Sequence, residues 1–575
     1  MPSVIFLVFR RMRSPLILLI VVYALSVLGF SLIPGVDAQG APAAPMSFFH
    51  AFYFVSYTAT TIGFGELPVA FSEAQRMWTT VTIYLSVIGW SYVIFKLFAI
   101  AQDSGFRQAL ASARFERRVR RLTEPFYLIC GCGETGGLLL RALDRMNLRC
   151  VVLDLSQARI DELDLEDLGS DAITLAGDVR SPQLLEMAGL THRHCRAVIT
   201  LTDDDRANLA VCASASLLNP QLPVIARVQS NAIAANMASF GIRHRINPFE
   251  KFADYLRLAI QKPGSYRLMD WLLALPGTQL RRVDTLPRGH WLICGHGRFG
   301  SAVEERLGEE GTSLRIIEPA APPEAGAHVL RGIGTEARVL EQAGLRDAAG
   351  VVVGTNDDVT NLAIAVTARE LNPRAFLVVR QNLVANRRLF EGIDADILMV
   401  PSEIIAHECF ALLTSPMLDR FLDLVHAKSD EWASALIARL RGIAGERAPH
   451  LWSIRIDVEQ APAVLARIGR PDDDTSLGEV MRDPLDREQS LRLVALLRIR
   501  HDGQADPLPA SDTTLRAGDE ILFAGTRTAR ARLELTMRNA NELDYVCTGV
   551  DRRGGWLGQR LATMIKAPTV RKSSH

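Results

Sequence analysis

Three residues near the start of the chain, Thr61, Gly63 and Gly65, alternate with the apolar residues Ile62 and Phe64. Glycine adopts left-handed backbone conformations at no steric cost. If alternate residues take such conformations, successive carbonyl oxygens point toward one axis, and Thr61 adds its hydroxyl at the inner end. A row of oxygens of this kind can replace the water that a potassium ion sheds. One chain supplies a quarter of the ring around the ion, so the pattern predicts a homotetramer.

Two long apolar stretches flank this segment and would position it. Arg13 and Asp37 bound 23 uncharged residues, and Arg76 and Lys96 bound 19 more. Each stretch is long enough to cross a membrane as a helix. The run MSFFHAFYFVSYTA before Thr60 is too short to cross and favours a re-entrant half-helix. The alternative for the first stretch is a signal peptide, which its length and the second span disfavour.

Cations flank both predicted spans. Arginines at positions 10, 11 and 13 precede the first span, and six more lie between positions 107 and 121, after the second. This distribution predicts a multi-pass protein of the cell (inner) membrane, in contact with lipid, with both termini in the cytoplasm. No helix carries arginine at every third position, so a voltage sensor is not predicted. Gly89 interrupts the second span and is either a gating hinge or a close-packing position.

A second glycine pattern occurs twice in the rest of the chain. Both copies follow an apolar strand and open a helix with the spacing Gly-x-Gly-x-x-Gly. Such a loop lets a pyrophosphate approach the backbone at the N-terminus of a helix. An acid that can hold ribose hydroxyls follows about twenty residues later, Asp154 in copy one and Glu318 in copy two, and it favours NAD(H) or ADP/ATP over NADP. The candidate nucleotide-binding residues are Gly131, Cys132, Gly133, Glu134, Thr135, Gly136, Asp154, Asp178 and Arg227 in copy one, and Gly295, Gly297, Arg298, Gly300 and Glu318 in copy two.

Further matches between the two copies, TDDDRANL with TNDDVTNL among them, extend the repeat and predict two doubly wound parallel sheets. Copy one continues after Asp154 with a helical pattern, whereas copy two has PAAPPEAGA, which cannot form a helix. Copy one is therefore the better candidate for a nucleotide, and copy two is either a site or a structural element. Asp203, Asp204 and Asp205 could bind a divalent cation, although a solvated loop is the simpler interpretation; no metal ligand is assigned.

The composition narrows the class of protein. Lys plus Arg equals Asp plus Glu at 64 each, so the chain lacks the basic excess of a nucleic-acid binder and no nucleic-acid partner is expected. Eight cysteines in 575 residues are too few for a disulfide scaffold.

The segment TATTIGFGE, ending at Glu66, resembles the potassium-channel signature, whose common form is T-V-G-Y-G-D. The resemblance implies a selectivity filter at residues 61–65, supported by Tyr53, Thr60 and Glu66. Phe64 replaces a tyrosine and Glu66 an aspartate, and we expect the Tyr53 hydroxyl to reach Glu66. The repeat resembles the RCK (TrkA nucleotide-binding) domains that regulate potassium channels. That resemblance implies a cytoplasmic ring of eight such domains, with nucleotides or divalent cations as ligands.

The sequence thus predicts a helical membrane pore, with two spans and a re-entrant helix, joined to tandem Rossmann-like sheets and a small α+β C-terminal lobe. The predicted divisions are pore 1–104, linker 105–124, first RCK domain 125–285, second Rossmann lobe 286–440, C-terminal lobe 441–540 and tail 541–575. The predicted function is a ligand-gated potassium channel and not an enzyme. The alternatives are a membrane-tethered NAD-dependent oxidoreductase, which lacks a visible substrate domain, and the regulatory subunit of a potassium uptake system, which would lack the pore.

Overall fold

The computed structural model describes residues 4–37, 41–65, 70–169, 172–274, 277–280, 286–309, 311–324, 326–468 and 474–550. The chain divides into two compact units, Met1–Arg121 and Leu122–His575. The first unit contains α1 (Val4–Leu32), β1 (Pro34–Val36), β2 (Pro42–Pro45), α2 (Phe48–Ala59), α3 (Glu73–Gln102) and α4 (Ser104–Arg120).

Helices α1 and α3 are the two predicted spans. Their segments Met12–Leu32 and Glu73–Gln102 are long and apolar enough to cross a membrane. The helices pack closely because Gly29 leaves room for the indole of Trp78, whose Nε1 donates to the Ser26 carbonyl at 3.1 Å. The Gln75 amide donates to the carbonyl of Ile33 at 2.9 Å, which ties the start of α3 to the end of α1.

The second unit opens with a six-stranded parallel sheet. Its strand order is β5-β4-β3-β6-β7-β8. The chain adds strands on one side of β3 and then, from β6 onward, on the other side, as in dinucleotide-binding folds. Its elements are β3 (Phe126–Cys130), α5 (Glu134–Asp144), β4 (Arg149–Asp154), α6 (Gln157–Leu165), β5 (Ile173–Ala176), α7 (Pro182–Met187), β6 (Cys195–Thr200), α8 (Asp205–Leu218), β7 (Val224–Arg227), α9 (Asn231–Ser239) and β8 (His244–Ile246), followed by α10 (Pro248–Gln261) and α11 (Pro263–Leu273).

A second parallel sheet repeats this order as β11-β10-β9-β12-β13-β14. As the proline-rich sequence predicts, no described residue between β10 and β11 is helical. The elements are β9 (Trp291–Cys294), α12 (Arg298–Gly308), β10 (Leu314–Ile317), β11 (Val329–Leu330), α13 (Ala337–Gln342), β12 (Gly350–Val353), α14 (Asp358–Leu371), β13 (Phe376–Arg380), α15 (Arg387–Glu391) and β14 (Ile397–Met399), followed by α16 (Pro401–Thr414), α17 (Pro416–His426) and α18 (Asp430–Ala444).

The two Rossmann lobes exchange helices, which the sequence did not reveal. Helix α10 follows the first sheet but packs on α12 of the second lobe, where Phe249 and Phe252 join the core around Phe299. Its counterpart α16 follows the second sheet and packs on α5 of the first, where Ile405 and Cys409 join that core. Each lobe is therefore completed by a helix from the other.

The C-terminal lobe contains a four-stranded antiparallel sheet in the order β15-β20-β18-β19, where the sequence predicts only a small α+β lobe. Helix α22 packs Leu543 and Val546 into the core of this lobe, so residues 541–548, assigned to the tail from sequence, belong structurally to the lobe. The tail after residue 550 lies outside the described residues. The elements are β15 (His450–Arg455), α19 (Pro462–Ile468), α20 (Leu477–Val480), β16 (Arg482–Asp483), β17 (Asp486–Ser490), β18 (Leu493–Ile499), β19 (Ala505–Pro507), β20 (Glu520–Gly525), α21 (Arg527–Arg538) and α22 (Ala540–Thr548).

Candidate functional sites: a filter loop and two glycine-rich loops

The re-entrant helix α2 presents the filter segment at its C-terminal end. Ser47 caps its first turn by accepting a hydrogen bond from the His50 amide. Its buried face packs Phe54 against Phe30 of α1, with ring centroids 5.0 Å apart. The helix ends at Ala59, and the Thr60 hydroxyl donates back to the Ser56 carbonyl at 2.8 Å. The helix thus holds the following residues at a fixed point between the two spans.

The backbone of the filter segment has the alternation that its glycine spacing predicts. Gly63 and Gly65 have φ values of +61° and +71°, and Thr61 has +62°, whereas Ile62 and Phe64 have negative φ. A non-glycine residue in this region is strained, and such strain collects at functional sites. The sequence assigned only the Thr61 hydroxyl to the filter, but its backbone takes part in the alternation too.

Tyr57 contacts the filter segment through hydrogen bonds and its ring, and the sequence did not indicate these contacts. Its carbonyl accepts hydrogen bonds from the amides of Ile62 and Gly63, at 3.0 and 3.3 Å. Its ring meets that of Phe64 edge-on at 6.1 Å and that of Tyr53 at 5.3 Å. Tyr53 therefore contacts Tyr57, which itself contacts this segment, and the supporting role of Tyr53 stays a prediction. Glu66 lies outside the described residues, so its pairing with Tyr53 stays a prediction.

The opposite side of the filter is open within one chain. Among the described residues, a Cβ atom at Gly63 or Gly65 would meet nothing within 4 Å, and the side chains of Ile62 and Phe64 are 60% and 68% exposed. The exposed side chains of Ile62 and Phe64 leave space in which further copies of the chain can pack against this segment.

Gly89 lies inside the uninterrupted helix α3. A Cβ atom there would lie 3.7 Å from Leu19 and 4.0 Å from Val22 of α1. This geometry favours the close-packing interpretation, and the hinge stays a prediction.

In the first Rossmann lobe, the loop between β3 and α5 is as tight as its glycines predict. Gly131 has φ +95°, and a Cβ there would lie 2.8 Å from the amide nitrogen of Thr202. A Cβ at Gly136 would lie 2.2 Å from the Gly131 carbonyl oxygen. Gly133 caps α5, which leaves the first amides of the helix for an anionic ligand.

Asp154 ends β4 and is buried beneath this loop. Its carboxylate accepts hydrogen bonds from the amides of Cys132 at 2.6 Å and Ser156 at 2.8 Å, and Arg159 approaches to 3.6 Å. The acid therefore fixes the loop, and its role toward a ribose stays a prediction. Burial, and next the charge of Asp154, raise the pKa of Cys132 to about 12, so its thiol stays neutral.

The cleft beside this loop, of about 290 Å³, is covered from the second lobe. Its lining includes Cys132, Gly133, Glu134, Arg159 and Val384. The Val384 amide donates to the Glu134 carboxylate at 3.1 Å. Burial raises the pKa of Glu134, with Asp203 and Asp358 acting in the same direction and the Val384 amide against them. Glu134 is thus a contact between the lobes at the edge of the cleft, and Arg159 is a cleft residue that the sequence did not identify.

Three other predicted residues are buried or paired within the lobe. Thr135 is buried, and Asp178 forms an ion pair with Arg180 at 2.8 Å. Arg227 forms an ion pair with Asp203 across the strand ends.

Asn208 is a residue that the sequence missed, although it lies within the repeated TDDDRANL motif. It is fully buried and joins Thr202, beside Gly131, to the carbonyl of Arg227. Asn361 makes the equivalent contacts in the second copy.

The acidic run of copy one is used within the fold. Asp204 caps α8, and Asp205 accepts from the amides of Gln229 and Ser230. Among the described residues, no group of three or more acid, histidine or cysteine side chains has metal-binding geometry.

The second lobe keeps the glycine-rich loop but has different side chains packed beside it. Gly295 has φ +97°, Gly297 caps α12, and a Cβ at Gly300 would lie 2.0 Å from the Gly295 carbonyl oxygen. Glu318 accepts from the amide of His296 at 2.7 Å, as Asp154 does from Cys132.

Phe299 replaces Thr135 and is fully buried against Gly354, where a Cβ would come within 2.2 Å of the ring. The Arg380 guanidinium lies 4.8 Å from the ring of Phe249, and Arg298 lies 5.8 Å from the same ring. Burial, and next the neighbouring Arg298, lower the pKa of Arg380 to about 10. The strand ends of the second sheet are therefore packed with side chains, which favours a structural role for copy two.

These geometries agree with two family matches. The ion channel family matches residues 17–103, and the TrkA-N domain matches residues 127–248 and 291–401. The first unit therefore contains a match to an ion channel domain, and the second contains two matches to TrkA-N domains.

Several curated relatives are named as potassium channels or potassium uptake proteins. Potassium channel protein 1 of Methanocaldococcus jannaschii is 23% identical over 203 residues, which cover 35% of this chain and 59% of the relative. A Trk system potassium uptake protein TrkA homolog of Pyrococcus abyssi is 29% identical over 142 residues, or 23% of this chain and 63% of the relative. The voltage-gated potassium channel Kch of Escherichia coli is 24% identical over 185 residues, or 32% of this chain and 42% of the relative. The chain thus spans less than two thirds of each.

Among solved structures, the GsuK channel bound to NAD aligns over 93% of this chain and 99% of its own, with 18% identity and a TM-score of 0.45. GsuK bound to ADP aligns over 72% of this chain and 99% of its own, with 21% identity and a TM-score of 0.42.

Proposed function

We propose that the protein is a homotetrameric, potassium-selective channel whose opening depends on a nucleotide bound by the first TrkA-N domain. The carrying observation is the alternating backbone of Thr61, Gly63 and Gly65 at the end of a re-entrant helix. Left-handed residues at every second position turn consecutive carbonyls to one side, which is the arrangement that replaces the hydration shell of K⁺. The names of the relatives, potassium channels among them, support the choice of ion.

Four copies are needed because irregular backbone is tolerated at membrane depth only where it lines a pore or is buried in protein. The open face of Gly63 and Gly65 supports this assembly. In the second unit, Leu217 on α8 and Val359 on the equivalent helix α14 are 73% and 70% exposed, and such residues suit contacts in a ring of TrkA-N domains. With arginines beyond both spans, the inner membrane is the expected location and both termini are cytoplasmic.

The first TrkA-N copy is the proposed nucleotide site, and NAD(H), ADP and ATP are the candidate ligands. An open cleft beside the helix N-terminus supports this choice, together with Asp154 under the loop. An acid at this position disfavours a 2′-phosphate, so NADP is not expected. The second copy, with Phe299 and Arg380 over its strand ends, serves as a structural partner.

Helix α4 is the covalent path by which a change in the second unit reaches the inner span α3. Shifting a gate from 1:99 to 99:1 takes about 5.5 kcal/mol of differential binding, so four sites need to contribute only about 1.4 kcal/mol each. A divalent cation remains a possible second ligand of this proposal, with no assigned site.

The test is potassium flux into liposomes that contain the purified full-length protein, with and without NADH, NAD, ADP or ATP. We expect flux of K⁺ but not Na⁺, altered by at least one nucleotide and abolished by Gly63→Asp. The matched variant Ile62→Val should conduct, because a β-branched apolar residue remains at that position.

Absence of flux from the wild type, with the tetramer intact, would refute the channel. Flux that no nucleotide alters would refute regulation through the first copy alone. NADH oxidation by the same preparation would instead support the tethered oxidoreductase, and its absence is expected.

A further inference from the structure

A cleft with a cationic rim lies where the first Rossmann lobe meets the C-terminal lobe. It holds about 450 Å³ and is lined by Arg145, His450, Arg527 and Arg530, with Met146 and Phe410 among its apolar walls. The guanidinium groups come from two separate elements, the residue after α5 and the first turn of α21, and His450 joins them from the start of β15. The cleft is distinct from the nucleotide cleft, which lies at the opposite end of α5.

The positive charges of this cleft are only partly compensated. Arg530 forms an ion pair with Glu534 at 2.9 Å. Within the described part of the chain, Arg145 and Arg527 form no ion pair and donate no side-chain hydrogen bond. Burial lowers the pKa of His450, and the charges of Arg527 and Arg530 lower it further, so both guanidinium groups act on the same space.

The arginines of α21 occupy an unfavourable place unless an anion is present. Arg527 is the first residue of a 12-residue helix whose first turn carries no acid. The N-terminus of a helix is the positive end of its dipole, where a cation is destabilising and an anion is stabilising. Three guanidinium groups converging on a helix N-terminus provide the donors that phosphate oxygens accept.

A buried hydroxyl adds an independent observation beside the cleft. An adjoining cavity shares Met146, Phe410 and His450 with the cleft and is also lined by Ser415. Ser415 is 1% exposed, and among the described residues its Oγ has no hydrogen-bond partner. This inner cavity, of about 20 Å³, holds no more than a group the size of a water molecule. The interior of the site therefore offers one polar group behind its cationic rim.

We propose that this cleft binds a polyvalent phosphate anion, separately from the nucleotide in the first Rossmann lobe. The phosphates lie between Arg145, Arg527 and Arg530. Phe410 and Met146 provide an apolar surface against which a base can lie. The ligand then bridges α5 of the first lobe and α21 of the C-terminal lobe.

The test is calorimetric titration of the full-length protein in detergent with tripolyphosphate and, separately, with ATP, without divalent cations. Wild-type protein should bind tripolyphosphate, which has no ribose or base for a Rossmann site to recognise. Arg527→Gln with Arg530→Gln should weaken its binding by about tenfold or more, because charge-assisted bonds to phosphate are lost. Arg145→Gln, on a different element, should also weaken it, which guards against misfolding of the C-terminal lobe in the double variant.

The matched control is Arg538→Gln in the last turn of the same helix, which removes a positive charge outside the cleft and should leave the affinity unchanged. Equal affinity of the double variant and the wild type for tripolyphosphate would overturn the proposal, as would a similar loss in Arg538→Gln. Tighter binding of ATP, lost in the double variant, would identify a nucleotide as the source of the phosphates; equal binding of both would identify the phosphate chain alone. None of these readouts depends on ion flux, so failure here leaves the proposed channel untouched.

Discussion

Gly136→Ala is the sharpest test of the first glycine-rich loop. The added Cβ would lie 2.2 Å from the carbonyl oxygen of Gly131 and 3.1 Å from its carbonyl carbon. Both atoms belong to the backbone of the same loop and cannot rotate away. An ordinary contact requires a separation of about 3.2 Å or more, so the loop and the helix must move apart by roughly 1 Å.

The free-energy cost of that movement depends on how densely the atoms of the site are packed. Forcing one extra carbon into a well-packed region costs about 1–3 kcal/mol. Movement of the loop displaces the amides at the N-terminus of α5, on which the binding of a pyrophosphate would depend. If the ligand-competent loop bears this cost, nucleotide affinity falls roughly 5- to 150-fold.

The assay is nucleotide titration of the full-length protein, with thermal unfolding of each variant measured in parallel. Gly442→Ala in α18 is the control, because its Cβ would meet no described atom within 4 Å and alanine favours the helix. Gly300→Ala creates the same clash in the second lobe, 2.0 Å from the Gly295 carbonyl oxygen, and should lower stability without changing nucleotide affinity. Wild-type affinity in Gly136→Ala would refute the assignment of the ligand to this loop.

Three further predictions concern other parts of the chain. Gly29→Val should disrupt the contact of α1 with α3, since even a Cβ at Gly29 would lie 2.1 Å from the Trp78 indole. We expect less tetramer in gel filtration. An unchanged elution profile would contradict this prediction. Asp519→Asn should destabilise the C-terminal lobe by about 3 kcal/mol or more, because fully buried Asp519 pairs with Arg498 at 2.6 Å; chemical denaturation measures the loss, and Asp512→Asn on the surface is the control. Burial tends to raise the pKa of Glu304, but hydrogen bonds from His296 and His328 outweigh it and hold that pKa below the usual 4.5. Glu304 therefore stabilises the fold above that pH and loses this contribution as the pH falls through its folded pKa, so Glu304→Gln should flatten the acid limb of a plot of melting temperature against pH.

Much of the architecture could be predicted because it depends on local signals. Glycine spacing predicts the positive φ at Gly63 and Gly131, and the apolar strands predict the sheets. The proline-rich segment after Glu318 predicts the missing helix of the second lobe. These features depend on residues that are close in sequence, where steric limits on the backbone decide the outcome.

The features that could not be predicted depend on residues far apart in the chain. Helices α10 and α16 have apolar faces that suit either lobe, so their exchange follows only from the tertiary packing. The contact of Glu134 with Val384 joins residues 250 positions apart. The cationic cleft joins Arg145 to Arg527 in the same way, and no spacing rule links such positions.

Because α10 and α16 are exchanged, the tandem repeat is arranged like a helix-swapped dimer whose two halves are joined in one polypeptide. A fragment that ends after α10 would keep an uncovered α5, with Leu139 and Leu143 on its packed face, and a free α10 carrying Phe249 and Phe252. In the intact chain, α16 covers α5 and α10 packs on α12. In the fragment, the α10 of one copy would cover the α5 of another, so such a fragment would pair with a second copy of itself. Joining the halves covalently removes the need for them to be identical. One half can then keep a nucleotide cleft while the other packs Phe299 and Arg380 at its strand ends, since only the exchanged helices must still fit.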